Sequence, residues 1–344
     1  MSLGINATTG EGIVLAADSR QSYKNQKGMT RVGSDSASKI FKLSQRAGLI
    51  VAGPAFLPEN GMPKNISNFI ESFKNKNNLE ELTLKQIAEK IKVYFETKYP
   101  YQEQLNILPA QIEADLKSKG CEIIEMNEKK HHIEFQFRDP NGIIHQGTAG
   151  VDQLQFNIAG YDKDGSHSVY MVYIPGETPE ENRSSKIRGK EFGASWIGQI
   201  DVVSRIVLGF DGRIGNLPFM QKAANELGQE TIQQQLRGLE YVIQWGTMTL
   251  QDAIDFCKLS IETTTAIQRF SDGVQNNPGD VPGVGGPIDI AVITPKKGFI
   301  WINKKNLKIA GKEIDLDEYE DLSGFDKPKN IAKKRKREKA VIKS

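Results

Sequence analysis

Cysteine is scarce. Cys121 and Cys257 are the only two in 344 residues, far apart and without the spacing of a redox or metal motif. Both are expected to be reduced and buried or nearly so, which excludes a disulfide scaffold. Histidine is scarce too: His131, His132, His145 and His167. The first two are adjacent, so on a strand they point to opposite faces, and no zinc-type spacing exists. No metal is expected. "GVGG" lacks the lysine and the strand–helix context of a phosphate loop, so no cofactor is expected. An excess of one charge is missing, with 45 Lys and Arg against 43 Asp and Glu. A net charge of +2 offers no electrostatic case for nucleic acid or a membrane surface, and neither is an expected partner. Long apolar runs are missing; "GLIVAG" is far too short to span a bilayer. No basic, apolar leader opens the sequence, so a cytoplasmic location is expected. No internal repeat is visible.

What is present is a succession of hairpins and helices. Ser2–Ala7 and Ile13–Asp18 read as strands around "TTGEG", whose Gly10 and Gly12 suit a tight turn. "KIFKL" and "GLIVAG" form a second strand pair. Ile66, Phe69, Ile70 and Phe73 share one helical face. Thr83 with Gln86 is a capping box for a second helix bearing Leu84, Ile87, Ile91 and Phe95. A short helix near Gln111–Lys119 and a hairpin, "HHIEFQFRDPNGIIHQG", occupy the next fifty residues. "LQFNIAGYDKDGSHSVYMVYI" is two strands about "DKDG", and a polar loop follows. In "FGASWIGQIDVVSRIVLG", Trp196, Ile200, Val203 and Val207 keep helical spacing, with Ser195 at the helix start. Residues 210–245 read as helical. Thr249 caps "LQDAIDFCKLSIETTTAIQRF", a Gly/Pro/Asn loop covers 271–287, and "IDIAVITPKKGFIWI" is a last strand pair. Antiparallel hairpins on both sides of helical blocks predict an α/β fold, a four-layer αββα sandwich of two antiparallel sheets.

Several of these segments, in this order, resemble the 20S proteasome β-subunit and its bacterial relatives, the N-terminal nucleophile (Ntn) hydrolases. They are "GEGIVLAADSR", "ASKIFKL", "IVAG", "NIAGYDKDGSHSVYMVY", "FGASWIG", and "MTLQDAIDFCKLSIE" followed by "GGPIDIAVIT". The likeness covers roughly residues 2–95, 154–207 and 247–302. It implies one proteasome-like domain over 1–310, with insertions at about 100–150 and 210–245. The charged tail, 311–344, holds five consecutive cations, Lys333–Arg337, and is expected to be disordered.

The family places its catalytic aspartate seventeenth in the processed chain, and Asp18 is seventeenth counted from Ser2. The resemblance therefore implies that Met1 is removed and that Ser2 supplies both nucleophile and base. A serine hydroxyl needs a base beside it. An α-amine titrates at roughly 7.7–8.0, so a useful fraction is neutral at pH 7, and a neighbouring cation lowers that value. Lys39 is the matched cation and Asp18 the carboxylate that holds it. Gly53 offers its backbone N–H to the oxyanion, and Arg20 and Ser195 support the site through hydrogen bonds. The implied activity is a threonine-protease-like hydrolase using serine, a peptidase or amidohydrolase acting on a peptide or amide bond. The implied assembly is a homo-oligomer; a ring like the family's and an unfoldase partner both stay open.

This sequence departs from the family pattern. The nucleophile is serine where the family usually has threonine, and in the family a propeptide usually precedes it. Lys39 comes about five residues late. The family's late aspartate and serine have no clean match, with Asp272 or Asp280 as stand-ins. Thr8 and Thr9 are rival nucleophiles, disfavoured because cleavage there would delete the first strand. The bland reading of the same residues is a non-catalytic proteasome-like shell or scaffold. There Asp18 and Arg20 form a structural pair, Lys39 is an edge charge, Gly53 only turns the chain, and Ser195 only caps a helix.

Overall fold

The computed structural model describes residues 2–25, 29–274, 277–278, 282–309 and 312–314. Ten strands build two large sheets. They are β1 (Leu3–Thr8), β2 (Ile13–Ala17), β3 (Ile40–Lys42), β4 (Ala47–Ala52), β5 (Leu154–Tyr161), β6 (His167–Ile174), β7 (Glu180–Ser184), β8 (Gly193–Gly198), β9 (Asp289–Thr294) and β10 (Gly298–Asn303). One sheet has the order β8-β1-β2-β9-β10 and the other β7-β6-β5-β4-β3, and every pairing is antiparallel. The helices among the described residues are α1 (Ile66–Lys76), α2 (Leu84–Glu96), α3 (Tyr101–Ser118), α4 (Asp201–Leu208), α5 (Pro218–Leu227), α6 (Gln229–Leu236) and α7 (Leu250–Phe270).

Most strands of the two sheets are apolar on both faces, and the packing explains why. Between the sheets lie Leu15, Ile50, Met171, Ile197 and Phe299. On the outer face of the β3–β7 sheet, Phe73, Ile87, Ile91 and Phe95 of α1 and α2 cover Phe156 and Val172. On the outer face of the other sheet, Val203, Cys257 and Ile261 of α4 and α7 cover Leu3, Ile5 and Val292. The chain is thus a mixed α/β structure with helices outside two antiparallel sheets. Each fully buried Leu, Ile or Phe contributes roughly 1.5–3 kcal/mol by leaving water. Close approach of the sheets sets local limits on size: a Cβ on Gly4 of β1 would lie 2.4 Å from Ile50 Cγ2 of β4.

The expected capping box at Thr83 and the expected cap at Thr249 both form, the second also as a capping box. Thr83 and Gln86 bond reciprocally at the start of α2, and Thr249 and Asp252 do so at the start of α7. The 100–150 excursion is larger than its sequence pattern predicts. α3 begins at Tyr101, directly after Pro100, and carries Pro109 within it. It packs on a three-stranded sheet, 122–128, 132–138 and 144–150, around Ile112, Leu116 and Ile133. Residues 210–245 are helical in short pieces, a 3₁₀ turn followed by α5 and α6, none of which buries a residue fully.

One element is a correction. Residues 193–198 form strand β8, and the helix begins only at Asp201. The four-residue spacing from Trp196 to Ile200 spans a strand and a helix start. Gly193 and Gly198 bracket the strand at positive φ, 148° and 88°, and pairing with β1 over Leu3–Thr8 overrides the helical pattern. Ser195 is therefore mid-strand and caps no helix.

The chain divides into two units, 1–304 and 305–344. Of the second, the hairpin Leu307–Ile309 with Lys312–Ile314 is described; the acidic and basic tail from 315 onward, including Lys333–Arg337, lies outside the described residues. Among the described residues no helix is long and apolar enough to cross a membrane.

Candidate active site

The β1–β2 hairpin turns through Thr9, whose N–H and hydroxyl both donate to the Gly12 carbonyl. That turn sets a register in which Gly4 faces Ala17, so Asp18 sits beside the beginning of β1. Asp18 has no exposed surface. Its carboxylate is an acceptor only, and four donors converge on it. Oδ1 accepts the Leu3 N–H at 2.9 Å and the Lys39 ammonium at 2.7 Å. Oδ2 accepts the Arg20 N–H at 3.1 Å and the Gly285 N–H at 3.0 Å. Lys39 immediately precedes β3, and its carbonyl accepts the Val51 N–H of β4. The Asp18–Lys39 pair is buried on both sides, the arrangement in which an ion pair needs its remaining hydrogen bonds filled. Here the carboxylate's are filled by backbone amides.

Ser2 is buried, 6% exposed, and its carbonyl accepts the Gln199 N–H at 2.6 Å. Gly198 stands against it: a Cβ there would lie 2.0 Å from the Ser2 carbonyl oxygen, so only glycine lets the end of β8 approach so closely. Ser2, Lys39, Gly53, Arg20, Gln21 and Ile66 line one cleft of about 360 Å3, counted out to its open mouth. Gly53 follows β4 at φ +104°, and a Cβ there would lie 2.2 Å from the Gln153 carbonyl. The position requires glycine, by both conformation and space.

Arg20 lines the cleft and also braces it. Its guanidinium forms a two-pronged pair with Asp35, 2.7 and 3.0 Å, and reaches the Pro282 carbonyl at 3.3 Å. The hydrogen bond from Arg20 pulls the Asp35 carboxyl below its usual range, and Asp35 raises Arg20 in turn.

Of the residues the sequence singles out, Ser2, Asp18, Arg20, Lys39 and Gly53 come together. Ser195 does not join them. It sits opposite Asn6 in the β1–β8 ladder, and its hydroxyl donates to Asn182 Oδ1 at 2.7 Å. Thr8 and Thr9 are buried in the hairpin, away from the cleft lining. Asp272 is exposed just past α7, and Asp280 lies outside the described residues. Cys257 is fully buried, which pushes its thiol well up from the usual range; Cys121 is partly exposed.

Sequence reasoning misses Gly198, Gln199, Gln268 and Gly285. Gly198 falls in a segment that reads as helical, Gly285 in a generic Gly/Pro/Asn loop, and the two glutamines carry no spacing signal at all. Gln155 belongs with them, since its side-chain oxygen accepts the Gly198 N–H at 2.9 Å. No protein-family model and no curated protein sequence matches this chain.

Proposed function

We propose that the chain is an N-terminal nucleophile hydrolase, proteasome-like in its two-sheet sandwich, that cleaves peptide or amide bonds with Ser2. The observation that carries the reading is the convergence of Ser2, Lys39 and Gly53 on one cleft, with Lys39 held from behind by a fully buried carboxylate. A merely structural cluster accounts for Gly53, whose conformation and packing demand glycine, but requires neither a serine at the cleft wall nor a buried ammonium lining the same cleft.

The chemistry follows from the residue types. Removal of Met1 turns the Ser2 amide nitrogen into a free amine. The Ser2 Oγ attacks the substrate carbonyl carbon and its proton passes to the amine. The Lys39 ammonium favours the neutral, proton-accepting form of that amine. The negative charge on the carbonyl oxygen is met by the Gly53 N–H. Collapse breaks the C–N bond, and the protonated amine donates to the departing nitrogen. Water then attacks the resulting ester, again through the amine, and frees the Ser2 hydroxyl. Asp18 keeps its charge throughout and fixes Lys39.

The test is the intact mass of the purified protein before and after a serine-reactive β-lactone. The proposal expects a mature chain beginning at Ser2 that gains one acyl adduct. Full retention of Met1, or no adduct, contradicts it and favours a non-catalytic shell protein in which the same cluster only ties β1 to β2.

A further inference from the structure

Leu3, bonded to Ser2, ties the start of β1 directly to Asp18 through its N–H, and two further supports act on the two sides of that bond. Ser2 is held from one direction by the Gln199 N–H. Asp18 is held from another by Gly285, on the 282–288 segment that leads into β9. Gly285 is tied once more to the start of the Asp18 turn: its carbonyl accepts the Ser19 N–H at 3.0 Å. Neither Gln199 nor Gly285 belongs to the strand that carries Lys39.

One side chain joins the two supports. Gln268, on the last turn of α7, donates from Nε2 to Gln199 Oε1 at 2.9 Å. Its Oε1 accepts the Gly283 N–H at 3.0 Å and the Val284 N–H at 2.9 Å. Val284 is itself fully buried against the helices, so the segment is pinned by packing as well as by the amide. A hydrogen-bonded path therefore runs from the Ser2 carbonyl through Gln199 and Gln268 to residues 283–285, and on to Asp18 and Lys39. The amide suits the place: its oxygen takes two N–H donors while its nitrogen serves an acceptor, which neither a carboxylate nor an ammonium does.

We infer that Gln268 is a positioning residue of the site: through one side-chain amide it braces, alongside the direct Leu3–Asp18 bond, the placement of Ser2 relative to Lys39. The inference rests on the reading of Ser2 as nucleophile. Gln268 is not among the residues lining the cleft, so its loss alters geometry rather than substrate contacts. A displacement of about 1 Å at reacting groups costs on the order of 10²-fold in rate.

The experiment compares the parent with Gln268→Met and Gln268→Glu. The readouts are the rate of β-lactone labelling against concentration and pH, and amide hydrogen exchange at Leu3 and Gly285, the two backbone N–H groups on opposite sides of Asp18. Gln268→Met keeps the length and removes all three bonds. It is expected to lower the maximal labelling rate on the order of 10–100-fold, leave the half-saturating concentration within about 2-fold of the parent, and speed exchange at both amides. Gln268→Glu keeps an acceptor for Gly283 and Val284 and adds a negative charge. It is expected to move the midpoint of the pH–rate curve upward by roughly half a unit, since a nearby anion favours the protonated amine. An unchanged maximal rate in Gln268→Met, or an effect on half-saturation alone, overturns the inference. Where the parent takes no label, the hydrolase reading itself fails. Exchange then decides: faster exchange at both amides upholds the coupling, and unchanged exchange refutes it.

Discussion

Replacing Asp18 by Asn changes one atom's identity and removes one charge at a site with no exposed surface. The carboxylate accepts from Leu3, Lys39, Arg20 and Gly285. An amide keeps one acceptor oxygen for two of these donors and turns its own NH2 toward the other two. Each buried donor left unsatisfied costs about 1–3 kcal/mol. Viewed instead as a broken buried ion pair, the loss is about 3–5 kcal/mol. The two figures describe the same event and are not summed, so a destabilisation of about 3–5 kcal/mol is expected. For a domain of this size each kcal/mol lowers the unfolding midpoint by roughly 2–4 °C, giving a drop of about 6–20 °C. The assay is thermal unfolding of the two proteins at pH 7, with urea unfolding to show that the denaturant slope is unchanged. Lys39→Met should cost less in the Asp18→Asn background than in the parent, because the ammonium has already lost its carboxylate. A midpoint within about 2 °C of the parent would refute the claim that this carboxylate anchors four donors.

Other outcomes follow from separate parts of the structure. Gly53→Ala should abolish labelling at Ser2 and destabilise the protein, since the new Cβ would lie 2.2 Å from the Gln153 carbonyl at φ +104°; labelling and unfolding of the variant check both. Asp35→Asn should lower stability at pH 7 by under about 1 kcal/mol, because the pair is partly exposed. Asp35 has a lowered folded pKa, so its contribution exists above the ordinary carboxylate range and is lost as pH falls; unfolding curves of parent and variant should converge in acid and separate toward neutrality. Iodoacetamide should alkylate Cys121 in the native protein and Cys257 only on unfolding, as one is partly exposed and the other buried with its thiol held protonated. Phe95→Ala should cost about 3–5 kcal/mol by opening a cavity among Tyr94, Phe156 and the β3–β7 sheet, measured by urea unfolding.

Much of this architecture is legible in the sequence because its strongest signals are local. The turn "TTGEG" carries its own glycines, the capping box of α2 sits where Thr83–Gln86 announces it, and α7 starts where Thr249 marks its cap. Hidden elements are those whose stability is non-local. Strand β8 is helical by spacing and extended only because it pairs with β1. β7, Glu180–Ser184, is polar and reads as loop, yet it pairs with β6 at a sheet edge. The hairpins 21–34 and 56–65 that flank the cleft pair short, mostly exposed segments and show no clean alternation. The site divides in the same way. Ser2, Asp18, Arg20, Lys39 and Gly53 are singled out by the resemblance of the segments that carry them, while Ser195 is misplaced with its strand. Gln199, Gln268 and Gly285 act across more than sixty residues of separation, and no pattern in one sequence marks such pairs.

The central claim is that Ser2 is the nucleophile, and locating the acyl group tests it most directly. Parent protein and Ser2→Ala, Ser2→Thr and Ser2→Cys are each treated with a β-lactone, digested and read peptide by peptide. The account predicts label on the Ser2 peptide of the parent, none at that position in Ser2→Ala, and partial labelling in Ser2→Thr and Ser2→Cys, which keep a hydroxyl or thiol beside the amine. Equal labelling of parent and Ser2→Ala, or label only on other residues, would contradict it.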